Sequence, residues 1–261
     1  MILRHVFVQA VALVVGVVTA SAGTLIVGTY TGTKTPKGRT VEFRIQDGHG
    51  KITSAEGQAI YYDHAKRTVY IVDKEKGSVI PMDEAGAKAM SGRLAEVQKK
   101  MEEQMKTMPP EQRAMVEKMM KEQGGGLPPP GQRTPLKFAK SGGGKVGTWP
   151  CETYSGTADG RTVEVCTAAP AALGISAEDE AVFEGFLDLS QKMAGESGAS
   201  VGAGPERGFE GIPLERSESR DGKVTDRFTI ETIKAEKMST ADLTVPAGMK
   251  QLSPGAPPPR P

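Results

Sequence analysis

One stretch of the chain, from Met90 to Met120, repeats its apolar residues with the period of a helix, whereas the segments on either side have the period of β-strands. The stretch holds seven of the twelve methionines. Its first half places apolar side chains three or four positions apart on one helix face, with Lys and Glu on the other. These residues are Met90, Leu94, Val97, Met101, Met105 and Met108. A helical segment between two sets of strands predicts an α+β fold.

Two prolines divide this stretch into two helices. Neither Pro109 nor Pro110 can donate a backbone hydrogen bond, so the first helix is predicted to end there, and Pro110 suits the first turn of a second helix. The apolar face of that second helix consists of Met115, Val116, Met119 and Met120. We therefore predict a Met-rich helical hairpin within residues 83–123, followed by a flexible linker over residues 124–135.

The segment before the helices has the pattern of an antiparallel meander. A first strand over 24–30 is predicted to end at Gly32 and Pro36, because these residues interrupt strands. Alternation of apolar and polar residues from Val41 to Ile45 predicts the next strand, and DGHGK is the predicted turn into a strand at Ile52, which completes a hairpin. Further strands are predicted at 60–62, 68–72 and 78–82, with turns at DHAKR and EKG.

Strands resume after the linker. A strand is predicted at 136–139, and Gly142–Lys145 is predicted to be a hairpin loop, since it lacks the spacing of a phosphate-binding loop. A third helix is predicted to start after Ser176, with Asp179 in the capping-box position and Gly195 at its end. Its apolar face would consist of Val182, Phe183, Phe186, Leu187 and Met193. Four strands at 212–218, 223–230, 233–238 and 241–245 would complete the sheet.

The N-terminus has the features of a secretory signal peptide. Arg4 precedes an apolar run, and the segment ends in the small residues Ala20 and Ala22, which signal peptidase accepts. The apolar run is shorter than the roughly 20 residues of a spanning helix, so we expect cleavage near Ala22 rather than an uncleaved anchor. The predicted mature protein is periplasmic or secreted and has no membrane span, with one domain over 23–252 and a disordered Pro-rich tail over 253–261.

Charge argues against nucleic acid as a partner. Without Arg4 the chain has 32 basic and 32 acidic residues. Phosphate binding would require a basic excess or patch. We therefore expect no binding of nucleic acid.

Cys151 and Cys166 are the two cysteines. In an exported chain such a pair is typically a disulfide. A four-residue loop at 157–160 would place the two cysteines directly opposite each other in a hairpin. A ligand or redox role is the alternative, but neither a CxxC motif nor a nearby histidine supports it.

The remaining chemistry-bearing residues indicate no reaction. His49 and His64 lie in predicted turns, and no GxSxG motif accompanies them. No catalytic residue, cofactor or metal site is predicted. The methionines have two readings: Met101, Met105 and Met108 share a helical face that could present thioethers to Cu(I), or they are adaptable packing residues. Packing is favoured because no histidine or cysteine lies near them.

The order of these parts resembles the exported bacterial family described as domain of unknown function (DUF) 4412, which is similar to the LolA/LolB-like lipoprotein-carrier superfold. The resemblance lies in VEFRIQDGHGKI, YYDHAKRTVYIVD, PPEQRAMVEKMM, GTWPCETY, the helix after LGIS and LTVPAGMKQL. It implies a strongly curved antiparallel sheet, a half-open β-barrel, with the helical hairpin and one further helix on the concave side. Lol carriers bind acyl chains there, although this chain lacks the lipobox cysteine of membrane-anchored relatives.

The resemblance favours a non-enzymatic periplasmic binding or carrier-type protein for a lipid or other hydrophobic ligand. The apolar residues expected to cover that ligand are Met90, Leu94, Val97, Met101, Met105, Met108, Met115 and Met119. An alternative is a Met-rich Cu(I)-handling or envelope-stress, chaperone-like protein that acts through the hairpin. A third hypothesis is a structural or assembly factor whose helices contact a partner protein of the envelope. TMPPEQRAMVEKMM resembles the helix starts of Spy-like periplasmic chaperones over about a dozen residues, which helix-start patterns alone also explain.

Overall fold

In the part of the chain that the structure describes, one large sheet and two long helices make up an α+β fold. The structure is a computed structural model and describes residues 22–33, 35–54, 57, 59–109, 111–112, 136–197 and 208–254. The sheet is unclosed, with 12 strands in the order β12-β6-β5-β4-β3-β2-β1-β11-β10-β9-β8-β7. Its strands are β1 (Gly23–Gly32), β2 (Thr35–Gln46), β3 (His49–Ser54), β4 (Ala59–Asp63), β5 (Thr68–Asp73), β6 (Ser78–Met82), β7 (Ala139–Val146), β8 (Trp149–Ala158), β9 (Arg161–Ala168), β10 (Ile212–Arg220), β11 (Lys223–Glu236) and β12 (Lys250–Gln251). The helices are α1 (Glu84–Thr107) and α2 (Ala177–Ser197).

The first six strands form the predicted antiparallel meander. Two details differ from the prediction. Pro36 lies inside β2 rather than ending a strand, and β2 begins at Thr35. The predicted turn DGHGK is shorter, because Asp47 and Gly48 both have positive φ angles of 51° and 75°, which is the signature of a two-residue type I′ turn. His49 is therefore the first residue of β3.

A second meander runs from β7 to β11 and joins the first where β11 pairs with β1. The prediction of a loop at Gly142–Lys145 is wrong, since these residues lie inside β7 and pair with β8. The predicted strands at 223–230 and 233–238 are one strand, β11. Glu231 of β11 is the extra residue of a bulge opposite Val27 and Gly28, and pairing with β1 continues on both sides of it. The predicted strand at 241–245 is replaced by a short 3-10 helix at Thr240–Leu243.

The predicted disulfide between Cys151 and Cys166 is confirmed, with the two Cα atoms 5.5 Å apart. The predicted four-residue loop is wrong. Asp159 and Gly160 alone form the turn, with φ angles of 53° and 69°, again typical of a type I′ hairpin. The shorter turn shifts the register, so that Cys166 lies opposite Thr153. The bridge therefore joins β8 and β9 diagonally.

Helix α1 begins before the Met-rich stretch. Asp83 caps it, and its carboxylate accepts a hydrogen bond from the Gly86 backbone N–H at 2.7 Å, which satisfies a free donor of the first turn. The helix ends at Thr107, as the prolines predicted. Of the predicted second helix, residues 111–112 are described and are helical. The rest of that helix and the linker at 124–135 lie outside the described residues, so the helical hairpin stays a prediction.

Helix α2 starts where predicted. The Ser176 hydroxyl accepts a hydrogen bond from the Asp179 N–H at 3.1 Å, and the helix continues past Gly195 to Ser197. Its buried face contains Val182, Phe183, Phe186 and Leu189. The rings of Phe183 and Phe186 lie 5.4 and 5.5 Å from that of Phe43 in β2. These contacts fix α2 over the first meander.

The C-terminal segment covers the opposite face of the first meander. Val245 and Met249 pack against a cluster of four buried residues: Ala59, Tyr61, Val72 and Val79. Lys51 Nζ donates a hydrogen bond to the Asp242 carbonyl at 3.0 Å. Ser253 and Pro254, which were predicted to belong to the disordered tail, are described. The ring of Pro254 lies against Gly86 of α1, 3.0 Å from where a Cβ on that residue would be. Residues 255–261 lie outside the described part of the chain.

Candidate hydrophobic binding site

A row of apolar side chains crosses strands β2 to β6 at one level of the sheet. Each member is the register partner of the next, and residues directly opposite each other in antiparallel strands point to the same face. We call this set the isoleucine row; it consists of Phe43, Ile52, Ile60, Ile71 and Ile80. It lies on the face that carries α2, since Phe43 contacts that helix.

A neighbouring row on the same face is fully covered. Ile45, Tyr62, Val69 and Met82 are each at most 3% exposed. Gly50 completes that row, and a Cβ on it would lie 3.5 Å from Val182 of α2. Helix α2 and the start of α1 therefore seal this level of the sheet.

Burial varies along the isoleucine row. Phe43, beneath α2, is 6% exposed, whereas Ile71, the fourth of its five members, is 38% exposed. Ile52, Ile60 and Ile80 are partly buried against the main core. Transferring one such side chain fully from water into an apolar environment contributes about 1.5 to 3 kcal/mol. A ligand or segment that covered the exposed part of the row would gain part of that amount for each side chain.

Helix α1 is placed to border this row. It follows directly after β6, whose Ile80 belongs to the row, and it packs against α2. Its first turns are held by the buried Ala87 and by an ion pair of 3.1 Å between Glu84 and Lys192 of α2. Helix α1 thus starts at the margin of the apolar face.

The structure describes part of the predicted ligand cover. Met105 and Met108 are half-buried at the end of α1. The backbone of α1 carries Met90, Leu94, Val97 and Met101, but their side chains lie outside what the structure describes. Met115 and Met119 lie outside the described residues altogether. Contact between these side chains and the isoleucine row therefore stays a prediction.

A polar cleft of about 650 Å³ lies beside the covered row, between α2 and the turn that joins β4 to β5. Arg67 and Asp188 form an ion pair of 2.9 Å across it. Its lining residues are Tyr62, His64, Ala65, Arg67, Ala181, Glu184, Gly185 and Asp188. Its charged rim faces the solvent, so the cleft does not extend the apolar row.

Two polar atoms next to this cleft are enclosed. The Tyr62 hydroxyl and His64 Nδ1 are buried without a hydrogen-bond partner among the described residues. Burial raises the pKa of Tyr62, so its hydroxyl is protonated at neutral pH. His64 was predicted to be a solvated turn residue; it lies in the turn as expected, but its Nδ1 is covered and its ring meets Tyr62 edge-on at 6.2 Å. Because neither atom reaches solvent, neither can contact a ligand without movement of the chain.

The described residues offer no group of three or more His, Cys, Asp or Glu side chains that could hold a metal ion. Of the three methionines that could bind Cu(I), Met105 and Met108 are described and half-buried, whereas the side chain of Met101 lies outside what the structure describes. Within the described ranges, no helix is both long and apolar enough to cross a membrane.

Sequence reasoning missed the isoleucine row. Each isoleucine was assigned to a strand, but the level that they share with Phe43 depends on the registers of four successive strand pairs. Turn length is the signal that could have revealed it, because the length and type of a hairpin turn fix which residues face each other.

Comparisons with known proteins add little at the level of function. No protein-family model matches the chain, and no curated protein is significantly similar to it. Membership of the DUF 4412 family therefore stays a prediction.

Three solved structures are similar in part. A structure of MucB in complex with MucA(peri) has 10% identity and a TM-score of 0.38, covering 87% of this chain and 55% of that one. The Pseudomonas aeruginosa MucA/MucB complex has 11% identity and a TM-score of 0.39, covering 87% of this chain and 57% of that one. A structure of PNGF-II has 8% identity and a TM-score of 0.38, covering 89% of this chain and 31% of that one. The chain thus spans about half the length of the MucB chains, and likenesses of this size support no inference about what it binds.

Proposed function

We propose that this protein is an exported, non-enzymatic binding protein that holds a hydrophobic ligand, a lipid or an acylated chain, on the isoleucine row. In this proposal the sheet curves as a half-open barrel, and α1 with its methionines covers the ligand on the concave side. Methionine suits such a cover because its flexible thioether adapts to irregular apolar shapes.

The observation that carries the proposal is the exposure of Ile71. Among the large apolar side chains that the structure describes, Ile71 and Val224 are the exposed ones. Val224 lies near the start of β11, next to the Asp221–Gly222 turn, whereas Ile71 continues a row of four other apolar side chains. A contiguous apolar surface marks a site of interaction more strongly than a single exposed residue.

Binding can be measured with cis-parinaric acid, a fluorescent long-chain fatty acid. Ile71→Ser should weaken binding by about tenfold, equivalent to about 1.4 kcal/mol. Val224→Ser is the matched control, because it removes the same kind of exposed side chain elsewhere and should leave affinity unchanged. Both residues are exposed, so both variants should keep the stability of the parent within about 0.5 kcal/mol. Equal affinity of Ile71→Ser and the parent would exclude the isoleucine row as the site.

Native mass spectrometry of the protein purified from a periplasm gives an independent test. A co-purifying lipid supports the proposal. Stoichiometric Cu(I) that is lost when Met101, Met105 and Met108 are changed to Leu would instead support the copper hypothesis, because Leu keeps the packing and removes the sulfur. The mass of the mature chain also tests the predicted cleavage near Ala22, which would leave Gly23 of β1 at the N-terminus.

A further inference from the structure

Strand β7 forms one edge of the sheet, at the far end from the isoleucine row in the strand order. It pairs with β8 on one side, and no other strand within the described ranges pairs with its outer side. Seven of its eight residues are exposed, with Val146 as the exception. The outer N–H and C=O groups of such a strand are a template for pairing with another extended chain.

The glycines of β7 have only a partial explanation within the protein. Gly144 is needed, since a Cβ there would lie 3.1 Å from Cys166 Sγ and 3.6 Å from Cys151 Sγ. A Cβ on Gly142 would meet nothing within 4 Å, and one on Gly143 would make an ordinary contact of 3.7 Å with the Cys151 carbonyl oxygen. Neither residue has a positive φ angle. The register of β7 against β8 shifts between Lys140 and Gly142, so that Ser141 is the extra residue of a β-bulge. Glycine at 142 is typical of such a bulge, whereas neither packing nor backbone conformation requires glycine at 143.

Glycine inside a strand lowers stability, because it loses more conformational freedom on folding than other residues. When neither packing nor conformation explains it, a strand glycine often marks a place where another backbone approaches closely. A residue that is unfavourable for its local structure, and that no contact within the protein requires, is expected at a functional surface.

The other edge of the sheet offers no comparable template. It ends in β12, which has two residues, Lys250 and Gln251. Strand β7, by contrast, is eight residues long and lies on a rigid support, since the disulfide ties β8 to β9. A rigid edge binds an extended peptide with a smaller loss of conformational entropy.

The charge of β7 indicates which kind of strand could pair with its outer edge. β7 carries Lys140 and Lys145 and no acidic residue. Lys140 pairs with Glu152 of β8 at 2.5 Å. Lys145 is exposed and forms no ion pair with the residues that the structure describes. Two copies of β7 side by side would bring like charges together, which is unfavourable, whereas an acidic strand would be attracted.

We propose that the outer edge of β7 from Gly142 to Val146, the part beyond the bulge at Ser141, binds an extended acidic segment of a partner protein by adding it to the sheet as a further strand. Backbone hydrogen bonds supply the attachment, as in other β-strand additions, and Lys145 supplies the preference for acidic side chains. This surface is distinct from the proposed ligand site.

The test uses three peptides as long as β7. In the first, valine alternates with glutamate; in the second, lysine replaces glutamate; the third is the acidic peptide N-methylated at alternate backbone amides. The acidic peptide should bind about tenfold more tightly than the basic one at low salt, and the difference should shrink as salt is added. N-methylation should reduce binding about tenfold or more, because it removes the backbone donors that strand pairing needs.

Hydrogen exchange locates the peptide. Backbone amides within residues 142–145 should exchange more slowly in the complex, which contact through side chains alone would not cause. Lys145→Glu should weaken binding of the acidic peptide and strengthen binding of the basic one. Lys223→Glu, an equal charge change at an exposed lysine in a distant hairpin, should do neither.

Four outcomes would overturn the proposal. They are equal binding of the methylated and unmethylated acidic peptides, binding without slower exchange in β7, no binding at the highest soluble peptide concentration, and self-association of the protein through β7 in sedimentation experiments.

Discussion

Gly185 of α2 lies directly against Tyr62 of β4: a Cβ on residue 185 would be 2.5 Å from the Tyr62 hydroxyl oxygen. The same Cβ would be 2.9 Å from Nδ1 of His64. Distances this short require the surrounding structure to shift. Helix α2, which covers Phe43 and the neighbouring row, therefore approaches β4 closely at Gly185.

We predict that Gly185→Ala destabilises the protein by about 1 to 3 kcal/mol, the usual result of overpacking a core. Helix propensity alone would make the substitution stabilising, because alanine is favoured over glycine in a helix by about 1 kcal/mol. A loss of stability would therefore show that the contact with Tyr62 dominates. Gly92→Ala in α1 is the matched control: it is exposed, a Cβ there would meet nothing within 4 Å, and the substitution should stabilise. Urea unfolding of both variants measures the two effects. Stabilisation by both would show that α2 can move away from Tyr62 freely.

The disulfide should contribute substantially to stability. It closes a loop of 15 residues, for which the chain-entropy estimate is about 3 kcal/mol. Changing both Cys151 and Cys166 to Ala should lower the free energy of unfolding by about that amount. Dithiothreitol should destabilise the parent similarly and leave the double variant unaffected. Sensitivity of the double variant to the reductant would contradict this assignment.

Asp179 should make stability depend on pH. Burial raises the pKa of its carboxyl, against the hydrogen bond from Thr24 that lowers it. The folded state then holds this proton to a higher pH than the unfolded state, whose aspartate titrates at about 3.9. The stability of the parent relative to Asp179→Asn should therefore fall as pH rises above about 4, until the folded carboxyl has also ionised.

Asp73→Asn is the control of opposite sign. The backbone N–H and side chain of Lys76 lower the pKa of the exposed Asp73 carboxyl. The parent should therefore gain stability over this variant as pH rises towards about 4, where the unfolded aspartate ionises, and the difference should level off at higher pH. Urea unfolding between about pH 3 and pH 8 compares the two. If the stability of the parent relative to Asp179→Asn instead increased with pH, the prediction would be contradicted.

Tyr30 should ionise late. Burial, followed by its hydrogen bond to the Asp226 carboxylate, raises the pKa of Tyr30 to about 12. Spectrophotometric titration of the folded protein should show a step near that pH, and Tyr30→Phe should remove it. Since an unfolded tyrosine ionises near pH 10, the parent should lose stability relative to Tyr30→Phe as pH rises above about 10. If the late step persisted in the variant, another of the five tyrosines would be its source.

Several local features followed from the sequence alone. The meander of β1 to β6, the end of α1 before Pro109, the Ser176 cap of α2 and the disulfide were all predicted. Each depends on a signal within a few residues: hydrophobic period, a missing backbone donor, a capping hydroxyl, or the pairing of two cysteines in a hairpin. Such signals act in the chain before it is packed.

Predictions from local residue composition were wrong where pairing with a neighbouring strand determined the structure. Gly142–Lys145 has the composition of a loop, yet it is extended because β8 offers it a partner. The segments at 223–230 and 233–238 were separated by their apolar pattern, but β1 holds them in one strand. In a sheet, the neighbouring strand outweighs the preference of the residues themselves.

The candidate site was decided by the tertiary structure. Phe43, Ile52, Ile60, Ile71 and Ile80 are spread over five strands, and only the registers of four strand pairs bring them to one level of one face. Side chains alternate along a strand with a period of two, so a shift of one residue in any pair would move the next isoleucine to the opposite face. The sequence determined which segments are strands and helices; turn geometry and strand pairing determined which of their side chains share a surface.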